Sequence, residues 1–192
     1  MLNRLPPLKE SPSQTAGPYV HIGMTPSLEG ISGPNVPDLG SGPVEAGSGP
    51  RIAIGGTITD GTGAPVFDAV VELWQAGADG IYRHGWGRTA CDSQGAFAFD
   101  TVKPGRVAGP DGKPMAPHVA LWIVARGINI GLQTRLYFED EAEDNAADFV
   151  LGKIMDKRRR GTLIARREEG AVPRYVLDIY LQGEKETVFF DM

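Results

Sequence analysis

From Arg51 onward the chain is built of seven runs of six to nine residues, each with the composition of a β-strand and each cut off by turn formers. The runs are IAIGGTITD (52–60), VVELWQA (70–76), FAFDTV (97–102), HVALWIVA (118–125), LQTRLYFE (132–139), GTLIARR (161–167) and RYVLDIYLQ (174–182). Between several of them stand DGTGAP (60–65), GADG (77–80), DSQG (92–95) and KPG (103–105), clusters in which Gly, Pro, Asp and Ser reverse the backbone. Short strands with frequent reversals specify an all-β fold, here a mixed β-sandwich. In the last run Tyr175, Leu177, Ile179 and Leu181 alternate with Val176, Asp178, Tyr180 and Gln182, which predicts one buried and one solvated face. VALWIV (119–124) is apolar on both faces and reads as a central strand. One short helix is expected over EAEDNAADFVLGKIMD (141–156), whose acidic start and late Lys153 suit the helix dipole.

A chain of 192 residues is expected to form one domain with a sizeable core. Gly (26) and Pro (15) make up about a fifth of it, against roughly 12% in average usage. Ten of the twenty-one residues from Gly30 to Pro50 are Gly or Pro, a density that resists both helix and strand. Residues 1–50 are therefore expected to be an extended N-terminal arm and connector, and residues 51–192 the β-sandwich.

Several functions are disfavoured by composition. A net charge of −5 and a pI near 5.2 argue against binding nucleic acid or an acidic membrane, both of which attract clustered Lys and Arg. The basic stretch Lys157–Arg160, with Arg166 and Arg167, follows the acidic EDEAED (139–144) and reads as a solvated, ion-paired edge. Cys91 is the single cysteine, which excludes an internal disulfide and suits a reducing compartment. MLNRLPPLKE carries no apolar run of the signal-peptide type, and no segment approaches the roughly 20 apolar residues of a membrane span. A cytoplasmic location is the expectation. G-x-S-x-G, P-loop, C-x-x-C and G-x-G-x-x-G motifs are missing. The three histidines, His21, His84 and His118, are not spaced as a ligand pair, so a self-contained histidine metal site is not expected.

Six stretches carry a resemblance: SPSQTAGPYVHIG (11–23), ELWQAGADGIYRH (72–84), DTVKPG (100–105), PMAPHVALWIVARGINI (114–130), TRLYFEDE (134–141) and GEKETVFFD (183–191). Together they resemble the intradiol ring-cleaving dioxygenases over almost the whole chain, the connector from Gly30 to Pro50 matching least. Within that family the chain is most similar to the alpha chains of the αβ enzymes that cleave protocatechuate. The resemblance implies a mixed β-sandwich, a beta-chain partner, and intradiol cleavage of protocatechuate by O2 to 3-carboxy-cis,cis-muconate.

In active chains of this family a ferric ion is held by two tyrosines and an H-x-H pair. Here the second histidine is Ala120, and the segment after KPG, GRVAGPDG (105–112), has no tyrosine. Tyr82 falls on a non-ligand position. The implication is that this chain binds no metal, that Fe(III) is held by the beta chain, and that no catalytic residue lies here.

What the resemblance leaves to this chain is the wall of the partner's substrate pocket. Thr15, Gly17, Pro18 and Tyr19 are expected to cross to the partner: Gly17 permits close approach, Pro18 fixes the backbone, and Tyr19 offers a ring and a hydroxyl. Arg126, in VARGINI, is the expected contact for the carboxylate of protocatechuate, because a guanidinium matches a carboxylate in geometry and charge. Arg135 is read as a structural residue near the vacant site, and His118 as a satisfied core histidine. The alternative is a non-catalytic β-sandwich kept for assembly, with a degenerate pocket; it differs in denying residues 15–19 and 126 any part in turnover.

Overall fold

The structure is a computed structural model that describes residues 14–33, 40, 42–110 and 112–191. The rest of the expected arm and connector, residues 1–13, 34–39 and 41, lies outside the described residues. The strands are β1 (Arg51–Thr59), β2 (Val70–Gln75), β3 (Trp86–Ala90), β4 (Ala96–Val102), β5 (Val107–Ala108), β6 (Pro114–Met115), β7 (His118–Val124), β8 (Leu132–Phe138), β9 (Ile164–Glu168), β10 (Arg174–Val176) and β11 (Ile179–Tyr180). Four short helices accompany them, α1 (Val20–Met24), α2 (Ala142–Ala147), α3 (Phe149–Lys153) and α4 (Lys157–Gly161), with a 3-10 turn at Glu139–Glu141.

Nine strands form one sheet in the order β11-β1-β10-β9-β8-β7-β2-β3, with β4 paired to β1. β5 and β6 make a separate ribbon. Pairing is parallel for β1 with β10 and β11 and for β8 with β9, and antiparallel elsewhere, so the sheet is mixed. The two ends of the sheet enclose a shared core: Ile54, Ile58, Phe97 and Phe99 from β1 and β4 meet Val71, Leu73, Leu121 and Ile123 from β2 and β7. Removing such side chains from water, at about 1.5–3 kcal/mol each, is what holds the two layers together. The all-β expectation holds, and β7 is central, flanked by β2 and β8.

The structure adds α1, α4 and the β5–β6 ribbon to the elements expected from the sequence, and three further elements differ from that reading. RYVLDIYLQ is two short strands: Leu177 O approaches β1 so closely at Gly56 that a Cβ there would lie 1.9 Å from it. Asp178 then turns its Oδ1 onto Thr57 N (3.1 Å) and Thr57 Oγ1 (2.9 Å). The inward alternation survives the break, with Tyr175, Leu177 and Ile179 buried. β3 is an addition, in a stretch outside the seven strand-like runs of the sequence. A Cβ at Gly85 would lie 2.3 Å from Gln75 O of β2 and one at Gly87 2.5 Å from Val44 Cγ2 of the connector, so both glycines serve close approach, one to the neighbouring strand and one to the segment packed over it.

The helix expected over 141–156 is divided. Asp148 is extended (φ −67°, ψ 131°) and ends α2, while its carboxylate accepts Val150 N and Leu151 N, both at 2.9 Å, and so starts α3. Leu151 of α3 then packs with Ala116, Tyr137 and Leu163 in a second, smaller apolar cluster.

Candidate functional site

The N-terminal segment is held to the body at two places. Near its start, Ala16 forms a parallel bridge with Arg126. Gly127 N donates to Thr15 Oγ1 at 2.8 Å, and that hydroxyl lies 3.2 Å from Ile128 O. Further on, α1 ends at Met24, whose carbonyl accepts from Arg88 Nη1 at 3.1 Å. Arg88 is fixed in turn by Glu72 across the β2–β3 pair (Nε to Oε1, 2.9 Å) and stacks over Trp86. Thr25 and Pro26 are buried where the segment turns away.

The chain thus brings together residues more than a hundred positions apart. Thr15 and Arg126, both expected at the substrate wall, meet at the loop that follows β7. Gly17, Pro18 and Tyr19 stand beside them and face solvent, Tyr19 with 75% of its surface exposed. Nothing lies within 4 Å of a Cβ built on Gly17, so the chain's own packing does not require glycine there. An open cleft of about 330 Å³ adjoins this loop, lined by Arg126, Gly127, Ile128, Leu132 and Leu181 among others.

Arg126 is 55% exposed at its side chain, and its Nε lies 3.3 Å from Asp68 Oδ2. Its guanidinium sits 5.9 Å from the centroid of the exposed Phe67 ring. Asp68 went unnoticed in the sequence. Its position in VFDAV (66–70) reads as a turn before a strand, and only the tertiary fold sets it beneath Arg126.

A second cluster surrounds His118, on β7. His118 is 2% exposed; its Nδ1–H donates to Ala116 O at 2.8 Å, and its Nε2 lies 3.3 Å from the Tyr82 hydroxyl. Burial, with Arg135 nearby, pulls its pKa down to about 4, so the ring is neutral. Both ring nitrogens are engaged, as a satisfied core histidine requires. Arg135 on β8 is directly across from Ala120 and bonds the Tyr137 hydroxyl at 3.3 Å. Tyr137 in turn donates to Asp148 Oδ1 at 3.2 Å, and Asp148 Oδ2 accepts Ala116 N at 3.0 Å.

This cluster does not fit a ferric ion. Such a site wants phenolates and free imidazoles, whereas the Tyr137 hydroxyl already donates to Asp148 and accepts from Arg135, and the Tyr82 hydroxyl meets His118. The one imidazole is committed to hydrogen bonds, and the fixed positive charge of Arg135 acts on all three groups. Among the described residues no group of three or more His, Cys, Asp or Glu is placed to hold a metal.

The remaining candidates have local explanations. His84 is exposed, and its carbonyl accepts Trp86 N at 2.7 Å. The basic cluster is paired with acids: Arg159 with Glu186 (3.1 Å), Arg166 with Glu168 (2.9 Å), Arg167 with Glu169 (3.3 Å). Burial, together with the charges of Asp92 and Asp68, pushes the Cys91 thiol up to about 12, far from a reactive thiolate. Among the described residues no helix is long and apolar enough to cross a membrane.

The two-layered mixed sheet, with a buried hydrogen-bonded cluster on its central strand, is a β-sandwich, and comparison with known proteins gives its family. Residues 35–183 match the family model described as Dioxygenase. The chain is 45% identical over 205 residues to the protocatechuate 3,4-dioxygenase alpha chain of Pseudomonas putida, covering 96% of this chain and 97% of that one. It is 30% identical over 178 residues to the protocatechuate 3,4-dioxygenase beta chain of Burkholderia cepacia, covering 81% and 75%. Among solved structures, the dioxygenase domain of a dioxygenase carbohydrate-binding protein fusion from Streptomyces sp. SirexAA-E shares the fold, with a TM-score of 0.58 over 73% of this chain and 82% of that one, at 21% identity. This chain belongs to the intradiol dioxygenase family.

Proposed function

We propose that this chain is the alpha component of an αβ protocatechuate 3,4-dioxygenase. With O2 as cosubstrate, the assembly opens protocatechuate between its two hydroxyl-bearing carbons to give 3-carboxy-cis,cis-muconate, both oxygen atoms entering the product. The beta partner holds the Fe(III); this chain holds none and completes the partner's substrate pocket with Thr15, Gly17, Pro18, Tyr19 and Arg126. Its contribution is positional: it presents a guanidinium for the substrate carboxylate and an aromatic wall for the ring, and it excludes water from that side. A cytoplasmic location suits a lone buried thiol and a soluble aromatic acid as substrate.

The observation that carries this reading is the convergence of the arm and Arg126 on one exposed patch. Thr15 and Ala16 spend their polar groups on the loop at 126–128, and Gly17, Pro18 and Tyr19 are thereby left facing outward beside a half-exposed cation. A site facing outward suits a pocket closed by a second chain.

The test is co-expression with a beta chain, purification of the complex, metal analysis and oxygen uptake on protocatechuate. Iron in proportion to the beta chain, with ring cleavage by the complex and none by this chain alone, is the expected result. Stoichiometric iron in the isolated chain would overturn the reading, as would full activity of the beta chain alone. A complex whose turnover is indifferent to Tyr19→Ala and Arg126→Ala together would leave assembly as the chain's role.

A further inference from the structure

We propose that Asp68 is a positioning residue for Arg126, selecting the orientation in which its guanidinium meets the substrate carboxylate. The inference rests on Arg126 being the carboxylate contact. The side chain of Asp68 is 6% exposed, and its Oδ2, shielded from water, has no hydrogen-bond partner among the described residues. The charge that approaches this oxygen is Arg126 Nε at 3.3 Å, in a geometry that is an ion pair without being a hydrogen bond. A carboxylate withdrawn from water needs a counter-charge, and removing it leaves an uncompensated buried charge. A half-exposed arginine gains little from any one solvent-facing rotamer and is otherwise free to sample many. The buried partner therefore dictates where the exposed one points.

Three contacts divide Arg126 between them. The arm holds its backbone through the Ala16 bridge, Asp68 holds the Nε side of the fork, and Phe67, the residue next to Asp68, lies against the face of the guanidinium. What remains is the edge carrying the two terminal nitrogens, the edge that pairs with two carboxylate oxygens at once. Holding a planar fork by its stem side leaves that edge aimed and lowers the ordering cost when a ligand arrives.

The experiment uses the assembled αβ enzyme and measures kcat/KM on protocatechuate and on catechol, which lacks the carboxylate. Asp68→Asn keeps the volume and removes the charge, and assembly and melting temperature are checked alongside. The protocatechuate-to-catechol preference is expected to fall roughly 3- to 10-fold, through KM more than kcat, and the same substitution added to Arg126→Ala is expected to change the preference no further, since two residues acting through one contact are not additive. Phe67→Leu, at an exposed position, is expected to shift the preference in the same direction and decides the matter if Asp68→Asn does not assemble. An unchanged or increased preference in the assembled variants overturns the proposal, as does an effect of Asp68→Asn that persists in full without Arg126. The two readings fail separately: Arg126→Ala lowering both substrates equally would remove the carboxylate contact itself, whereas a selective Arg126→Ala with an indifferent Asp68→Asn would remove only the role of Asp68.

Discussion

His118 shows how a strand's surroundings set the state of one side chain. Buried on β7 with Arg135 nearby, the imidazole is a neutral structural group, its pKa drawn down to about 4 from an ordinary 6.5. The unfolded chain takes up a proton near pH 6.5 that the folded one resists until about pH 4, so protonation favours unfolding. Stability is fully present above pH 6.5 and falls by up to about 1.4 kcal/mol for each pH unit below it. Denaturant titrations of the isolated chain at pH 7.0, 5.5 and 4.5 are expected to show this loss, and His118→Gln to flatten it. At Arg126 the expected outcome concerns selectivity. A charge-assisted hydrogen bond contributes about 1.5–3 kcal/mol, so Arg126→Ala is expected to lower kcat/KM of the assembled enzyme on protocatechuate by roughly 10- to 150-fold, with a far smaller effect on catechol. Tyr19, mostly solvent-exposed in the chain by itself, separates function from folding. Tyr19→Ala is expected to change the stability of the isolated chain by no more than about 0.5 kcal/mol while measurably slowing the assembled enzyme; a melt and a kinetic run on the same preparation compare the two.

Among the elements, the stretch from 139 to 161 carries the most consequence per residue. The run expected as one helix is cut at Asp148, because that carboxylate serves four groups: Val150 N, Leu151 N, Ala116 N and the Tyr137 hydroxyl. It joins the start of α3 to the segment before β7 and to β8, the walls of the His118 cluster. The Asp before an apolar FVL run is an N-cap signature legible in the sequence; that the same side chain reaches Ala116 and Tyr137 is not, since both lie far off along the chain. Asp148→Ala orphans buried donors as well as a cap and is expected to cost roughly 2–4 kcal/mol. The measurement is the denaturation midpoint, with Asp148→Asn, which keeps one acceptor, in between. The arm is the opposite case: too short for a stable helix of its own, α1 depends on Arg88 and Glu72 for its place, and SPSQTAGPYVHIG shows its turn formers without showing what it docks against.

For the whole molecule the governing fact is an intradiol dioxygenase fold whose central strand carries a hydrogen-bonded cluster under the fixed positive charge of Arg135. Adding iron to the isolated chain is therefore expected to produce no visible ferric-phenolate absorption and no oxygen uptake with protocatechuate. Absorption spectra before and after iron addition, with an oxygen electrode, measure both. The sequence by itself determined the β-class, the central position of β7 and the inward set on the last strands, because strand alternation and turn chemistry are local properties. Tertiary structure alone decided the reach of Asp148 to Ala116 and Tyr137, the addition of β3 to the sheet, the meeting of Thr15 with the loop after Arg126, and the placing of Asp68 under that arginine. Each of these depends on a contact between segments distant along the chain, and distance along a chain carries no direction in space until the core between the two layers has closed.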